Sequence, residues 1–135
     1  YKTHAEKGSM YNTPPCYTIY VAGEVFKYLL ANGGIPAMHE KDVRKAQKIY
    51  DYLDSSKLFR GTVAKEDRSL MNIPFVTGDP DLDKEFIAGA KERNMINLKG
   101  HRCAGGMRAS VYNAFPEEGV DALIEYMKEF EAAHK

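Results

Sequence analysis

The sequence carries no net charge, no long apolar run and few cysteines. Its 135 residues include 19 basic and 19 acidic side chains. Because nucleic-acid-binding proteins usually carry a basic surplus, this balance argues against a nucleic-acid partner. No apolar stretch approaches the roughly 20 residues that a membrane-spanning helix needs. We therefore expect neither a nucleic acid nor a membrane among the partners of this chain.

The two cysteines, Cys16 and Cys103, lie far apart and have no CxxC partner. A lone distant pair is weak evidence for an oxidising compartment, so we predict two free thiols in a cytoplasmic protein. The histidines show no metal-ligand spacing, and we expect no metal. The sequence also lacks a paired-carboxylate motif, a Walker sequence and a Ser/His/Asp grouping. These residues alone therefore indicate no catalytic motif.

The N-terminal residues are polar and rich in loop-forming types. The first ten, YKTHAEKGSM, have no apolar core or cleavage site and do not begin with Met. They are therefore not a signal peptide, and we expect them to continue a longer polypeptide. Residues 1–13 are predicted to be a loop. Thr13, followed by two prolines, is a helix-entry signal.

Apolar periodicity predicts four helices in the rest of the chain. The first runs from Cys16 to about Leu30 and ends at a glycine pair. The second has lysine and aspartate on the face opposite its apolar stripe. The predicted stripe of the second helix comprises Val43, Ala46, Ile49, Tyr50 and Leu53, and the last two helices start at Asp79-Pro80 and at Pro116.

Four short stretches have strand-like composition: residues 58–63, 70–78, 95–100 and 107–115. Pro74 restricts the second of them to a position where an N–H group can be spared. The order α-α-β-β-α-β-β-α contains no strand–helix–strand alternation long enough for a doubly wound sheet. Hairpin-linked strands with helices on one face instead predict an α+β fold, a two-layer α/β sandwich.

The stretch KGHRCAGGMRASVYNAF, residues 99–115, concentrates cationic side chains beside three glycines. Its cations are Lys99, His101, Arg102 and Arg108. Guanidinium groups bind carboxylates and phosphates through paired donors in a fixed fork. The glycines let the backbone approach a ligand closely. The stretch indicates a site for a small dianion, and a solvated glycine-rich hairpin is the alternative.

Side-chain alternation along a strand that starts near Met107 separates two faces of this stretch. Arg108, Ser110 and Tyr112 share the polar face, whereas Ala109 and Val111 share the other. Arg108 is therefore expected on the polar side, near the beginning of the strand.

Two further motifs contain polar residues in loops. EKGSMYNTPP, residues 6–15, places Asn12 and Thr13 before a helix N-terminus, which is the composition of a phosphate cradle. Simple helix capping by Asn12 or Thr13 is the alternative. The motif DRS, residues 67–69, with the nearby Asn72, is predicted to be a turn that an aspartate stabilises.

Three separated motifs, in the same order, resemble the C-terminal part of the phosphoserine aminotransferases. They are KGHRCAGGMRASVYNAFPEEGVDALIEYMKEFE, GSMYNTPPCYTIY and DRSLMNIPF. This family consists of homodimeric, pyridoxal-phosphate-dependent class-V enzymes (fold type I). They exchange an amino group between L-glutamate and 3-phosphohydroxypyruvate on the route to serine.

The resemblance also implies a domain organisation. Residues 16–135 would form the small C-terminal domain of an aspartate aminotransferase-like fold. Residues 1–15 would belong to the large-domain and dimer interface. If the large domain is absent, the helix over residues 16–30 is expected to expose apolar surface.

The resemblance further implies roles for five residues. Arg108 matches the arginine that holds the α-carboxylate of the substrate. His101 and Arg102 match residues at the substrate phosphate or side-chain carboxylate. Asn12 and Thr13 match a pair that reaches across the dimer to the phosphate of the pyridoxal 5'-phosphate in the other subunit.

The lysine that binds the cofactor covalently in this family has no match in the chain. The acidic partner of the pyridine nitrogen and the aromatic residue stacked on the ring also lie upstream of these motifs. We therefore expect no catalytic residue here, no transamination by this chain alone and a missing N-terminal large domain as its partner. An isolated non-catalytic domain, or part of a related pyridoxal-phosphate-dependent aminotransferase with another substrate, are the alternatives.

Overall fold

The computed structural model describes residues 1–134, and the chain divides into two compact units. The N-terminal unit comprises residues 1–38, and the C-terminal unit begins at His39. This boundary lies later in the chain than the one expected after residue 15. The assignments of residues 1–15 to the large-domain and dimer interface and of residues 16–135 to a small C-terminal domain stay predictions.

The N-terminal unit begins with a single helical turn, α1 (Lys2–Glu6), where a loop was predicted. The amide of Ala5 donates to the carbonyl of Tyr1 at 3.0 Å. Lys2 and Glu6, four residues apart, form an ion pair at 3.8 Å. Such spacing places the two side chains on one helical face, which supports a turn that composition alone does not indicate.

Helix α2 (Cys16–Ala31) has nearly the predicted bounds and is followed by Gly33, whose φ is +91°. None of its residues is buried. The apolar stripe expected along it is largely solvent-exposed, with Phe26 at 62%.

The C-terminal unit is an α+β structure built on a small antiparallel sheet, as predicted. The sheet has the order β1-β2-β3, with Asn72 opposite Ser110 and Pro74 opposite Arg108. Its elements are α3 (Gly34–Ser55, which begins in the N-terminal unit), β1 (Arg60–Gly61), β2 (Asn72–Val76), α4 (Pro80–Glu92), β3 (Met107–Ser110) and α5 (Glu117–Ala133).

The core lies between one face of the sheet and the helices, which makes the unit two-layered. Strands β2 and β3 bury alternate residues, so one face of the sheet is apolar. Aromatic rings fill the centre, with ring centroids separated by 5.0 Å between Phe59 and Phe86 and by 4.7 Å between Phe86 and Tyr126. The buried sheet residues are Ile73, Phe75, Met107 and Ala109.

Pro74 lies in the central strand, not at an edge. Its carbonyl accepts a hydrogen bond from the Thr62 amide at 3.3 Å, directly after β1 ends. In an antiparallel strand, the N–H and C=O of one residue point to the same side. A backbone N–H at position 74 would therefore point towards β1. Pro74, which lacks this N–H, lies where the pairing of β2 with β1 ends.

The prediction of a strand over residues 95–100 is wrong, and the strand predicted over 107–115 is shorter. Only Lys99 forms a bridge, with Met107. The backbone amide of Arg108 donates to the carbonyl oxygen of Leu98 at 2.7 Å. Residues 95–98 nevertheless do not form a strand. Strand β3 ends at Ser110 because the carbonyls beyond it turn towards a buried ammonium group.

That ammonium belongs to Lys45 on α3, where the sequence predicted a solvated face. Lys45 is 2% exposed and Asp42 is 4% exposed, and they form an ion pair at 3.1 Å. Conversely, Val43 of the predicted stripe is exposed. Asp42 lies four residues before the buried Ala46, so the inner face of α3 includes this ion pair.

The described part of the chain contains no helix that is both long and apolar enough to cross a membrane. Within the same residues, no three His, Cys, Asp or Glu side chains lie together in a group that could hold a metal ion. Cys16 and Cys103 are both free and exposed.

Candidate functional site

A closed turn precedes β3 and carries two of the candidate cations. The amide of Gly100 donates to the carbonyl of Gly106 at 2.8 Å, which closes the turn at its base. Inside it, the amides of Ala104 and Gly105 both donate to the carbonyl of His101 at 2.9 Å. Gly105 and Gly106 have φ values of +69° and +60°. A side chain at Gly106 would collide with the backbone of Phe75, so glycine is required there.

His101 and Arg102 lie on this turn with exposed side chains. The backbone amide of Cys103 donates to Nδ1 of His101 at 3.3 Å, which leaves Nε2 available. No described residue forms a hydrogen bond or ion pair with the guanidinium of Arg102. The turn therefore presents two side chains with available hydrogen-bond donors, His101 and Arg102, to solvent or to a ligand.

Arg108 follows the turn directly, on β3. Its neighbours Met107 and Ala109 are buried, whereas Arg108 and Ser110 are half-buried on the opposite face, as the alternation predicted. The Nε of Arg108 is buried, and no described residue accepts a hydrogen bond from it. A buried guanidinium nitrogen without an acceptor is costly, which makes this atom a donor available to an anion.

A cavity of about 560 Å³ opens beside Arg108. One wall is the segment 93–98, which diverges from β3, and another is the first part of α5. Arg108, Ser110 and Tyr112 contribute the polar groups of β3 and its extension. An apolar recess with a few converging polar groups is the usual form of a small-molecule site.

Asn72 belongs to the same polar surface, although the sequence predicted only a turn around it. It begins β2, and its Oδ1 accepts hydrogen bonds from the Ser110 hydroxyl at 3.1 Å and the Tyr112 hydroxyl at 3.4 Å. The turn before it is stabilised by Ser69, whose hydroxyl accepts from the amides of Met71 and Asn72. Among the described residues, none donates a hydrogen bond to the Asp67 carboxylate, and Ser69 takes the role predicted for the aspartate.

Lys45 holds the segment that follows β3 and was missed by the sequence analysis. Its ammonium donates to the carbonyl of Tyr112 at 2.7 Å and to three others at 3.3–3.4 Å. These other acceptors are Val111, Asn113 and Phe115. The available signal was the position of Asp42 on the apolar stripe of α3, which requires a buried partner.

Asn12 and Thr13 lie in the N-terminal unit with exposed side chains. Neither caps α2, because the N-cap is Pro15 and no side-chain cap is present. The capping alternative is therefore wrong, although α2 does begin directly after the Thr13-Pro14-Pro15 signal. The Asn12 amide and the Thr13 hydroxyl have no hydrogen-bond partner among the described residues. Such free donors fit a phosphate group supplied from outside the chain.

The strongest shift of a carboxyl pKa occurs at the end of α3. Arg68 binds Asp54 through both terminal nitrogens, at 3.0 and 2.5 Å, and Lys65 adds a contact at 2.9 Å. The hydrogen bonds from Arg68 and then Lys65 hold the pKa of Asp54 well below its usual range. Arg68 also lies 4.4 Å from the ring centre of Tyr50, whose pKa is raised by burial. This cluster fixes the turn before β2.

The sequence profile of the class-V aminotransferases matches residues 1–123. The chain therefore belongs to the class-V aminotransferase family. It is 54% identical over 131 residues to the phosphoserine aminotransferase of Paraburkholderia phytofirmans, covering 97% of this chain and 36% of that enzyme. It is 53% identical over 135 residues to that of Lactiplantibacillus plantarum, covering 100% of this chain and 38% of the enzyme.

Solved structures give the same result. The phosphoserine aminotransferase from Bacillus circulans subsp. alkalophilus superposes with a TM-score of 0.93 at 40% identity, covering 100% of this chain and 38% of that one. The pyridoxal-phosphate-bound enzyme from Trichomonas vaginalis gives a TM-score of 0.85 at 41% identity, covering 95% and 37%.

The chain thus spans little more than a third of the length of the curated relatives it matches. A large N-terminal part of those proteins has no counterpart here. The resemblance found from the motifs is confirmed, as is the α+β fold it implied.

Proposed function

We propose that this chain is the substrate-binding C-terminal part of a phosphoserine aminotransferase. The whole protein would transfer an amino group from L-glutamate to 3-phosphohydroxypyruvate, giving O-phosphoserine and 2-oxoglutarate. Identity of 50–54% to such enzymes over nearly the whole chain supports this assignment. The residues of this chain would bind and orient the substrate, while the missing N-terminal part would supply the reacting groups.

The observation that carries the proposal is the unpartnered guanidinium of Arg108. Its Nε is buried without an acceptor, and it lies at a cavity beside the turn that carries His101 and Arg102. A carboxylate would accept hydrogen bonds from this group and remove the cost of leaving it unpaired. Both amino-group donor and acceptor have an α-carboxylate, so one arginine serves both half-reactions.

His101 and Arg102 would bind the second anionic group of each substrate. This group is the phosphate of 3-phosphohydroxypyruvate or the side-chain carboxylate of glutamate. The exposed turn presents both side chains without internal partners other than the Cys103 amide. A planar guanidinium can hold either a phosphate or a carboxylate through paired donors.

Asn12 and Thr13 would hold the phosphate of pyridoxal 5'-phosphate in the other subunit of a homodimer. Their free amide and hydroxyl groups, not used for helix capping, support this role. When bound, the cofactor supplies the electron sink for amino transfer. The residues of this chain would anchor its phosphate and fix the substrate carboxylate. We also propose a cytoplasmic location, which the two free thiols support.

The test is Arg108→Ala in the full-length enzyme. We expect the KM for L-glutamate and for 3-phosphohydroxypyruvate to rise together, since both substrates lose their carboxylate partner. The loss in kcat/KM corresponds to about 2–5 kcal/mol for a buried charge pair. Arg60→Ala is the matched control, because Arg60 is an exposed arginine of β1, at the other edge of the sheet. Wild-type kinetics in Arg108→Ala would refute the assignment.

A further inference from the structure

The polar face of the sheet carries a second donor group beside Arg108, the side-chain amide of Asn72. Asn72 lies opposite Ser110, and Arg108 lies opposite Pro74. These residues alternate with the buried ones, so Asn72 and Arg108 share the outer face. They occupy diagonal positions on neighbouring strands.

The orientation of the Asn72 amide is fixed by two hydroxyl groups. Ser110 donates to Oδ1 at 3.1 Å, and Tyr112 donates to the same atom at 3.4 Å. With its oxygen held by both hydroxyls, the amide directs its nitrogen away from them. No described residue accepts a hydrogen bond from Nδ2. Asn72 therefore offers two oriented N–H donors that the fold itself leaves unused.

The spacing suits one anion shared by the two side chains. Diagonal neighbours on antiparallel strands lie about 7–8 Å apart at the backbone, within reach of long side chains. A carboxylate has two oxygens and about four lone-pair positions, so it can accept from a guanidinium and from an amide at once. The long Arg108 side chain and the shorter Asn72 can therefore meet the same group from two sides.

We propose that Asn72 Nδ2 donates a hydrogen bond to the same substrate α-carboxylate that Arg108 binds. Ser110 and Tyr112 are positioning residues, because they keep the amide nitrogen, not the oxygen, towards the anion. This inference rests on the proposed function of Arg108. It adds a specificity-determining residue: an oriented neutral donor favours a planar carboxylate at this position without adding charge.

The decisive variant is Asn72→Asp in the full-length holoenzyme. An aspartate can still accept hydrogen bonds from Ser110 and Tyr112, so a purely structural role of Asn72 would survive. It replaces the donor nitrogen with an anionic oxygen, which would repel the substrate carboxylate. We expect the KM for L-glutamate and for 3-phosphohydroxypyruvate to rise at least about tenfold, the loss typical of a hydrogen bond to a charged group. The midpoint of thermal unfolding should stay near that of the wild type.

Asn113→Asp is the matched control for the added charge. Asn113 is an exposed asparagine close after β3, and its carbonyl, not its side chain, contacts Lys45. It should leave both KM values near those of the wild type. Should Asn72→Asp prevent folding, Asn72→Ala is measured instead, and both KM values must still rise.

The outcomes separate this inference from the proposed function. If Arg108→Ala raises both KM values while Asn72→Asp and Asn72→Ala leave them unchanged, the inference is overturned and the proposed function stands. If Asn113→Asp is as harmful as Asn72→Asp, the effect is general electrostatic repulsion and the inference is again overturned. If Arg108→Ala itself has no effect, the proposed function fails first. Increases specific to Asn72 support the shared carboxylate site.

Discussion

The first prediction concerns the buried ammonium of Lys45, which holds residues 111–115 directly after the strand that carries Arg108. The perturbation is Lys45→Met, which keeps an unbranched chain of similar length but removes the charge and all donors. The side chain is 3% exposed and its ammonium contacts four carbonyls and Asp42. The substitution would leave the Asp42 carboxylate buried and unpaired.

The expected cost follows from these contacts. Removing one partner of a buried ion pair destabilises a protein by about 3–5 kcal/mol. Since 1.4 kcal/mol corresponds to a factor of ten, amides that depend on this contact should exchange about a hundred- to a few thousand-fold faster. The segment held by Lys45, residues 111–115, should show the largest increase.

The assay is hydrogen–deuterium exchange of the full-length protein, followed by mass spectrometry of peptides that cover residues 107–116. Lys48→Met is the matched control on the same helix, because Lys48 forms more exposed pairs with Glu117 at 2.9 Å and Asp121 at 2.7 Å. Such pairs contribute little. Asp42→Asn added to Lys45→Met should restore part of the protection, since it removes the uncompensated charge. Equal exchange in the Lys45→Met and Lys48→Met variants would refute the reasoning.

Two other predictions concern the turn before β3 and the ion pair at the end of α3. Gly106→Ala should lower the midpoint of thermal unfolding more than Gly105→Ala does. Both glycines have positive φ, but an added methyl group would meet the Phe75 backbone only at Gly106. Equal losses in the two variants would contradict this. Asp54→Asn should lose stability at neutral pH. Because the pKa of Asp54 is lowered in the folded state, its contribution is present above the unfolded value of 3.8 and disappears as pH falls through the folded value. The difference in the midpoint of thermal unfolding between the wild type and Asp54→Asn should be constant down to about pH 4 and shrink below it. A difference that grows on acidification would contradict this.

Several features of the fold follow from local sequence patterns. Helix α2 ends where Asn32 and Gly33 follow it, and α4 begins where Asp79 caps the Asp81 amide. The burial alternation on β3 places Arg108 on the polar face as expected. These features depend on neighbours in the sequence, which periodicity and capping patterns describe directly.

The failures arose where a distant contact overrides the local pattern. Residues 111–115 have strand-like composition, but Lys45 on α3 draws their carbonyls away from β2. Residues 95–98 are likewise strand-like, yet only Lys99 pairs with β3. A single sequence does not show which buried charge will meet which backbone segment, so strand propensity alone overestimated both strands.

The sequence indicates the chemistry of the candidate site but not its full composition. The cations and glycines of residues 99–108 indicate an anion site from composition alone. The contribution proposed for Asn72 depends on the register that places it opposite Ser110. Register between distant strands is set by tertiary pairing, so this residue could not be assigned to the site from the sequence.

The proposed recognition of a phosphorylated substrate is tested most directly by Arg102→Ala in the full-length enzyme. The measurement is kcat/KM for 3-phosphohydroxypyruvate and for its unphosphorylated analogue, with L-glutamate as amino donor. We predict that the wild type strongly prefers the phosphorylated acceptor and that Arg102→Ala removes much of this preference, because the guanidinium no longer meets the phosphate. Equal losses for both acceptors would contradict the role of Arg102 at the distal anion.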